Sequence, residues 1–240
     1  MSLLHNFKLA MLWLRRRKSH THYIQFQMAR AAATHALLKP LLLPHHKKLL
    51  DIGSHRGGYS IFFAKEGFEV TGLEFSAERI QTAKLAALQH KTSIRFVQGD
   101  AREMPFPDEY FDIILLSNVI EHIPQTEKLL KEIHRVMKKH AVLYIQFPPF
   151  KGPFGGHVYW KFLPLPLHYL PKQLTKNVIS AFHLDSEIYE IEHITIERLM
   201  KLASSLGMKL RYLQSFPENW VKVPALQEYT PFCMAIFEKC

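Results

Sequence analysis

From Lys48 onward, short apolar runs alternate with amphipathic stretches, and this rhythm constrains the fold more than any other feature of the chain. Runs at about 48–52, 68–73, 93–98, 111–116 and 141–147 have strand length, and the segments between them repeat at helical spacing. Ser76 is placed to cap a helix whose Ile80, Ala83, Ala87 and Leu88 form one stripe, and a second helix carries Leu129, Leu130, Ile133 and Met137. Parallel strands joined through helices by right-handed crossovers fit this order, so an α/β fold is predicted, with helices packed on the sheet. The rhythm breaks after Phe147, in "PPFKGPFGGHVYWKFLPLPLHYLP", which has neither period and reads as an irregular insertion over about 149–188. It returns with Thr195 capping a helix (Ile196, Leu199, Met200, Ala203, Leu206) that stops at Gly207. Two more strands, "KLRYLQSF" and "PFCMAIFE", follow.

Charge divides the chain near the same place. Residues 1 to 50 hold nine of the 31 basic residues and none of the 21 acidic ones, so the formal charge of +10 belongs almost wholly to that segment. The remainder is close to neutral and lacks the basic footprint of a nucleic-acid groove, so no nucleic-acid partner is expected. Within the segment, Leu3, Leu4, Phe7, Met11 and Leu14 recur at helical spacing ahead of Arg15, Arg16, Arg17 and Lys18. This is a basic amphipathic helix over residues 1–18, and two readings of it stay open. It lies on an anionic membrane surface, each basic residue contributing about 1 kcal/mol, or it packs on the core with a solvated basic end. A transit peptide is a third reading, disfavoured by the scarcity of serine. The chain thus divides into an N-terminal extension, 1–46, and one domain, 47–240. Cys233 and Cys240 make neither a disulfide framework nor a metal-ligand spacing and point to a reducing compartment. No run approaches the roughly 20 apolar residues of a membrane span. A cytoplasmic protein is expected, one that the basic segment can also bring to the periphery of a membrane.

The chemistry begins at "LLDIGSHRGGYS", residues 49 to 60, where a strand runs into a loop with glycines at 53, 57 and 58. Such a turn lets backbone approach a ligand closely, ahead of the free N–H groups of a helix. The dinucleotide fingerprint G-x-G-x-x-G fails, because His55 stands where its second glycine belongs. Asp51 would repel a pyrophosphate and attract a cation. Glu74, about 20 residues beyond the loop and at the end of the second strand, is placed to accept hydrogen bonds from two ribose hydroxyls; alternatively it is an acid near a helix N-terminus. Asp100 in "FVQGDARE" is an acceptor suited to an exocyclic amine, or simply a turn residue.

"LLDIGSHRGGYS", "VTGLEFSAERIQTAK", "VQGDAREMPFPDEYFDIILLSNVIEHI" and "LLKEIHRVMKK" occur in the order and at the spacing of class I S-adenosylmethionine-dependent methyltransferases. The chain resembles that family over about 46–148, most of all the group that includes ubiquinone and menaquinone biosynthesis enzymes. The resemblance implies a Rossmann-like sheet of seven strands, mostly parallel, with an antiparallel last strand, "PFCMAIFE". It implies S-adenosylmethionine as cofactor, with Asp51, Gly53, Ser54 and Gly57 in the cofactor loop. Glu74 falls at the ribose position, with Phe75 beside it also in the cofactor site, Asp100 with the backbone of Ala101 at the adenine, and Asn118 beside the methionine portion. A sulfonium and an ammonium, unlike a pyrophosphate, suit Asp51. His55 departs from the family's usual glycine, and the Gly57-Gly58 pair suggests a loop that survives with the His55 side chain turned outward.

Methyl transfer from a sulfonium needs alignment of the acceptor more than acid–base machinery. An oxygen acceptor still benefits from a base, and His122, with Glu121, lies just after the fourth strand; the competing reading is a structural histidine. "NVIEHI" also resembles the Glu-His pair of a metal site in small-RNA 2′-O-methyltransferases, with His157 as a distant ligand, but Asn118 stands where that site has a further glutamate, so a metal is disfavoured. The insertion, with Phe147, Phe150, Phe154, Tyr159, Trp160, Phe162 and Tyr169, offers walls for a small lipophilic or aromatic acceptor, a lipid-linked one among them, or else forms a satellite core. Two rivals remain: an NAD-dependent oxidoreductase on a related fold, and a non-catalytic binding protein that has kept the fold.

Overall fold

The computed structural model describes residues 19–152, 158–160, 163–164, 170–181, 185–186, 192, 194–216 and 232–240. The N-terminal segment 1–18, His157 and most of the aromatic side chains of the insertion lie outside the described residues. In chain order the elements are α1 (His20–Leu38), β1 (Lys48–Ile52), α2 (Gly58–Lys65), β2 (Glu69–Glu74), α3 (Ala77–Gln89), β3 (Arg95–Gln98) and β4 (Phe111–Ser117). There follow α4 (Thr126–Val136), β5 (Met137–Phe147), β6 (Val158–Trp160), β7 (Leu163–Pro164), α5 (Lys172–Ala181) and β8 (Asp185–Ser186). The last are α6 (Ile196–Ser205), β9 (Met208–Phe216) and β10 (Phe232–Lys239). Seven strands form one sheet in the order β3-β2-β1-β4-β5-β10-β9. β1 pairs with β2, and β2 with β3, in parallel, whereas β10 runs antiparallel to β9. This is the mixed, mostly parallel Rossmann-like sheet expected from the sequence. Its strand order reverses beside β1, the position at which open α/β sheets bind ligands at their carboxyl ends.

The chain forms two compact units. The first runs to Leu115 and includes Arg135–Val142. Its strands are buried because they carry apolar residues on both faces: Leu49, Leu50, Ile52, Ile113, Ile114 and Leu115 are almost wholly removed from solvent. Each such side chain contributes roughly 1.5–3 kcal/mol. Ser76 caps α3 through Arg79 N, as its place in the sequence predicts. Ile80, Ala83, Ala86 and Ala87 face inward, but Leu88, assigned to the buried stripe, is 75% exposed. At about 100° per residue Leu88 lies well round the helix from the centre of that stripe. Ile24 of α1 joins Ile61, Ala86 and Ala87 in one cluster, so α1 is packed on α2 and α3.

The second unit holds 116–134 and 143–240. Thr195 caps α6 through Arg198 N, and Gly207, at φ 74, follows it into β9. The insertion read as irregular contains α5 and a three-stranded sheet in the order β7-β6-β8. A further difference concerns Met137, placed on a helix by periodicity, which instead opens β5. The carbonyls of Arg135 and Val136 accept from Glu109 N and Tyr110 N, both at 2.9 Å, so the backbone leaves the helix for partners outside it.

Candidate cofactor site

The loop after β1 is fixed by its own amides. Gly53 N and Ser54 N both donate to the carbonyl of Leu73, at 2.8 and 3.0 Å, and Gly57 N donates to Ser54 O at 2.8 Å. His55 N donates to Glu74 Oε2 at 2.9 Å, and Gly58 N to Gln27 Oε1 at 3.3 Å. A phosphate-binding loop keeps such amides for its anion. Here five of them are spent on protein acceptors, which disfavours a dinucleotide pyrophosphate on structural grounds.

Asp51 is 3% exposed, and Ser60 Oγ donates to its Oδ2 at 2.6 Å. Burial pushes its carboxyl up to about 7; the Ser60 hydroxyl and amide pull it down, and the charge of Glu74 adds to the rise. A positive group brought near would favour the ionised form.

Glu74 ends β2 with a buried, oriented carboxylate. Ser76 N donates to Oε1 at 3.0 Å while His55 N holds Oε2, and Arg79 Nη1 lies 3.7 Å from Oε1. An ionised carboxylate has about four acceptor sites, so each oxygen retains capacity for a further donor such as a ribose hydroxyl. Glu74 lines an open cleft of about 490 Å³ with His20, Arg56, Phe75, Ser76 and Arg79 among its walls. Phe75 is 74% exposed there, an apolar face presented beside a fixed acceptor. This donor and acceptor set fits a nucleoside: the carboxylate for a diol, the ring for a base.

Asp100 is also engaged within the chain. Arg102 Nε lies 3.0 and 3.1 Å from its two oxygens, Arg102 Nη2 lies 2.6 Å from Oδ2, and Arg102 N donates to Oδ1 at 2.8 Å. The carboxylate in turn raises the already high affinity of the guanidinium for its proton. Any exocyclic amine therefore meets an acceptor whose charge is shared with Arg102. Ala101 is buried beside it.

His55 adopts φ 50, the left-handed region, at a cost of about 1–3 kcal/mol for a non-glycine residue, although histidine is among those that tolerate it. Its side chain is not turned outward as the sequence suggested. The ring lies on Tyr23 of α1, with centroids 5.0 Å apart and 37° between the planes. The glycine pair that follows has two different reasons. Gly57 takes φ 81 as the N-cap of α2, while a Cβ on Gly58 would fall 2.4 Å from Gln27 Cβ. Gln27, Tyr23 and Arg102 were not found from the sequence; the second glycine of the pair was the one available sign of a close neighbour.

The remaining predicted residues belong to the second unit. Asn118 follows β4 at φ 54, and its N–H donates to Gln146 O at 2.7 Å. Glu121 and His122 share a 3-10 turn over Ile120–His122, where Glu121 is 1% exposed and His122 faces solvent. Glu121 O accepts from Glu192 N at 2.8 Å, and Glu192 Oε1 accepts from Gln125 N at 2.9 Å, which ties this turn to the segment before α6.

Comparison with known proteins bears on this geometry at two levels. Residues 50–145 match the family model described as a methyltransferase domain. Among solved structures, the chain is similar to an S-adenosylmethionine-dependent methyltransferase of Methanosarcina mazei, with a TM-score of 0.62 and 21% identity over 85% of this chain and 96% of that one. A similar enzyme of Aquifex aeolicus gives 0.57 and 16% over 86% and 89%. At these identities the likeness concerns the fold alone. In sequence, the chain is 34% identical over 219 residues to a protein described as an uncharacterized methyltransferase of Mycobacterium leprae, covering 85% of this chain and 79% of the relative. Identity sustained along most of both chains goes beyond a shared fold, and the chain belongs to the class I S-adenosylmethionine-dependent methyltransferase family.

Proposed function

We propose that this methyltransferase binds S-adenosylmethionine along the carboxyl ends of β1 and β2 and methylates a small lipophilic or aromatic acceptor. The observation that carries the cofactor reading is Glu74: a buried carboxylate, aimed by two backbone amides, in a cleft beside an exposed phenylalanine. In this reading Glu74 accepts from the ribose hydroxyls and Phe75 lies on the adenine. Asp100 and the Ala101 backbone meet the edge of the base. Gly53, Ser54 and Gly57 shape the floor of the site, and Asp51, ionised when positive charge is brought near, attracts the cationic end. Asn118 contacts the methionine portion. When bound, the cofactor supplies a methyl group on a sulfonium, so the chain's main task is to align the acceptor, a contribution worth up to about 7–11 kcal/mol where alignment is complete.

His122, exposed on its turn, takes the proton of a hydroxyl acceptor, while buried Glu121 supports the turn. The apolar character of the acceptor rests on the aromatic and proline content of 149–188, and its presentation at a membrane surface on the basic amphipathic segment 1–18. No helix among the described residues is long and apolar enough to cross a membrane. The test is a screen of hydroxylated aromatic and isoprenoid acceptors with methyl-labelled cofactor, each presented in free solution and in anionic vesicles. The expected result is label in the organic-extractable product and faster turnover on vesicles. His122→Asn is expected to lower turnover on a hydroxyl acceptor by about 10²–10⁴. Label confined to polar acceptors would overturn the acceptor class, and equal rates in both presentations would overturn the surface contact.

A further inference from the structure

Helix α1 lies outside the match to the methyltransferase domain, yet it meets the cofactor loop at successive residues. Tyr23 stacks on His55, and the guanidinium carbon of Arg56 lies 5.2 Å from the centroid of the same ring. One turn further on, Gln27 donates to Tyr23 OH at 3.3 Å and accepts from Gly58 N at 3.3 Å. One turn before, His20 lines the same cleft as Glu74 and Phe75. A single face of α1 therefore spans the loop from His55 to Gly58.

The contact falls where the loop most needs it. His55 occupies the left-handed region without being glycine, and its own N–H is one of the two that aim Glu74. Relaxation of His55 toward negative φ would reorient the backbone around that amide and loosen the carboxylate. A ring packed on the imidazole opposes the relaxation. A glycine at 55 would need no such clamp, since φ near 50 is open to it without strain.

We infer that Tyr23 is a positioning residue for the cofactor: by holding His55 in its left-handed conformation it keeps the His55 amide on Glu74 and the carboxylate aimed into the cleft. The inference rests on the reading of Glu74 as the ribose ligand. It also makes α1, which lies outside the matched methyltransferase domain, a determinant of cofactor affinity, acting through a non-glycine residue held at positive φ.

The test is a double-substitution cycle read by calorimetric titration of the full chain with S-adenosylhomocysteine. Tyr23→Leu keeps apolar volume and removes the ring, and is expected to weaken binding about tenfold, the equivalent of one strained residue released. Tyr23→Phe, which keeps the ring, should stay within about threefold of wild type. In a His55→Gly background the same Tyr23→Leu change should cost less than about threefold, because glycine needs no clamp. A general packing defect would cost the same in both backgrounds, and that result would overturn the inference. So would wild-type affinity in Tyr23→Leu alone. Binding absent from the wild type and from every variant would instead remove the cofactor reading on which the inference stands.

Discussion

Burial carries the Asp51 carboxyl from the usual 3.8 up to about 7, against the pull of the Ser60 hydroxyl. The folded chain therefore holds a proton that the unfolded chain has already released above about pH 4. Stability from protonated Asp51 is fully present below pH 4 and is lost as pH rises through about 7. Urea unfolding should show the wild type losing stability relative to Asp51→Asn over that interval, by at most about 4 kcal/mol, and little further change above pH 8. A gap between the two proteins that stays constant with pH would contradict the account of Asp51 as a desolvated acid. The same reasoning ties Asp51 to its ligand, since a cation in the site lowers the cost of ionising it. Glu74, by contrast, is fixed by geometry: two amides hold its oxygens, so its contribution depends on the loop that carries one of those amides.

At the scale of elements, the contact between α1 and α2 is closer than ordinary helix packing permits for any residue with a Cβ at position 58. Gly58→Ala would place a carbon 2.4 Å from Gln27 Cβ and 3.0 Å from Ile24 O. The backbone contact cannot be relieved by a rotamer change alone. The substitution is expected to cost about 1–3 kcal/mol in thermal or urea unfolding; a neutral result would mean that α1 is not held against the loop as described. The sequence made most of the elements legible because apolar periodicity and capping residues act locally: Ser76 and Thr195 cap as predicted, and the five parallel-type runs became β1 to β5. It failed where partners come from far along the chain. Met137 leaves its helix because Glu109 and Tyr110 take the preceding carbonyls, whereas the exposure of Leu88 has a local cause, its place round the helix from the buried stripe. In the candidate site the acids and glycines were legible from motif spacing. The partners that orient or neutralise them were not: Tyr23 and Gln27 lie on a helix well before the loop, with Gly58 the one sign of a close neighbour, and Arg102, although two residues from Asp100, is one basic side chain among many in the sequence.

For the molecule as a whole, family membership fixes the class of reaction, and a fold of this kind leaves the acceptor to the segments outside the shared core. The neutral domain, the basic N-terminal segment and the aromatic insertion divide the labour proposed here among cofactor, surface and acceptor. Cofactor binding is the claim on which the rest depends. Its most direct test is calorimetric titration of the purified full chain with S-adenosylmethionine and S-adenosylhomocysteine, alongside Glu74→Ala. Micromolar binding is expected of the wild type, with a loss of about a hundredfold or more in Glu74→Ala, the effect of removing charge-assisted hydrogen bonds to a diol. Binding that survives Glu74→Ala unchanged, or a wild type that binds neither molecule, would contradict it.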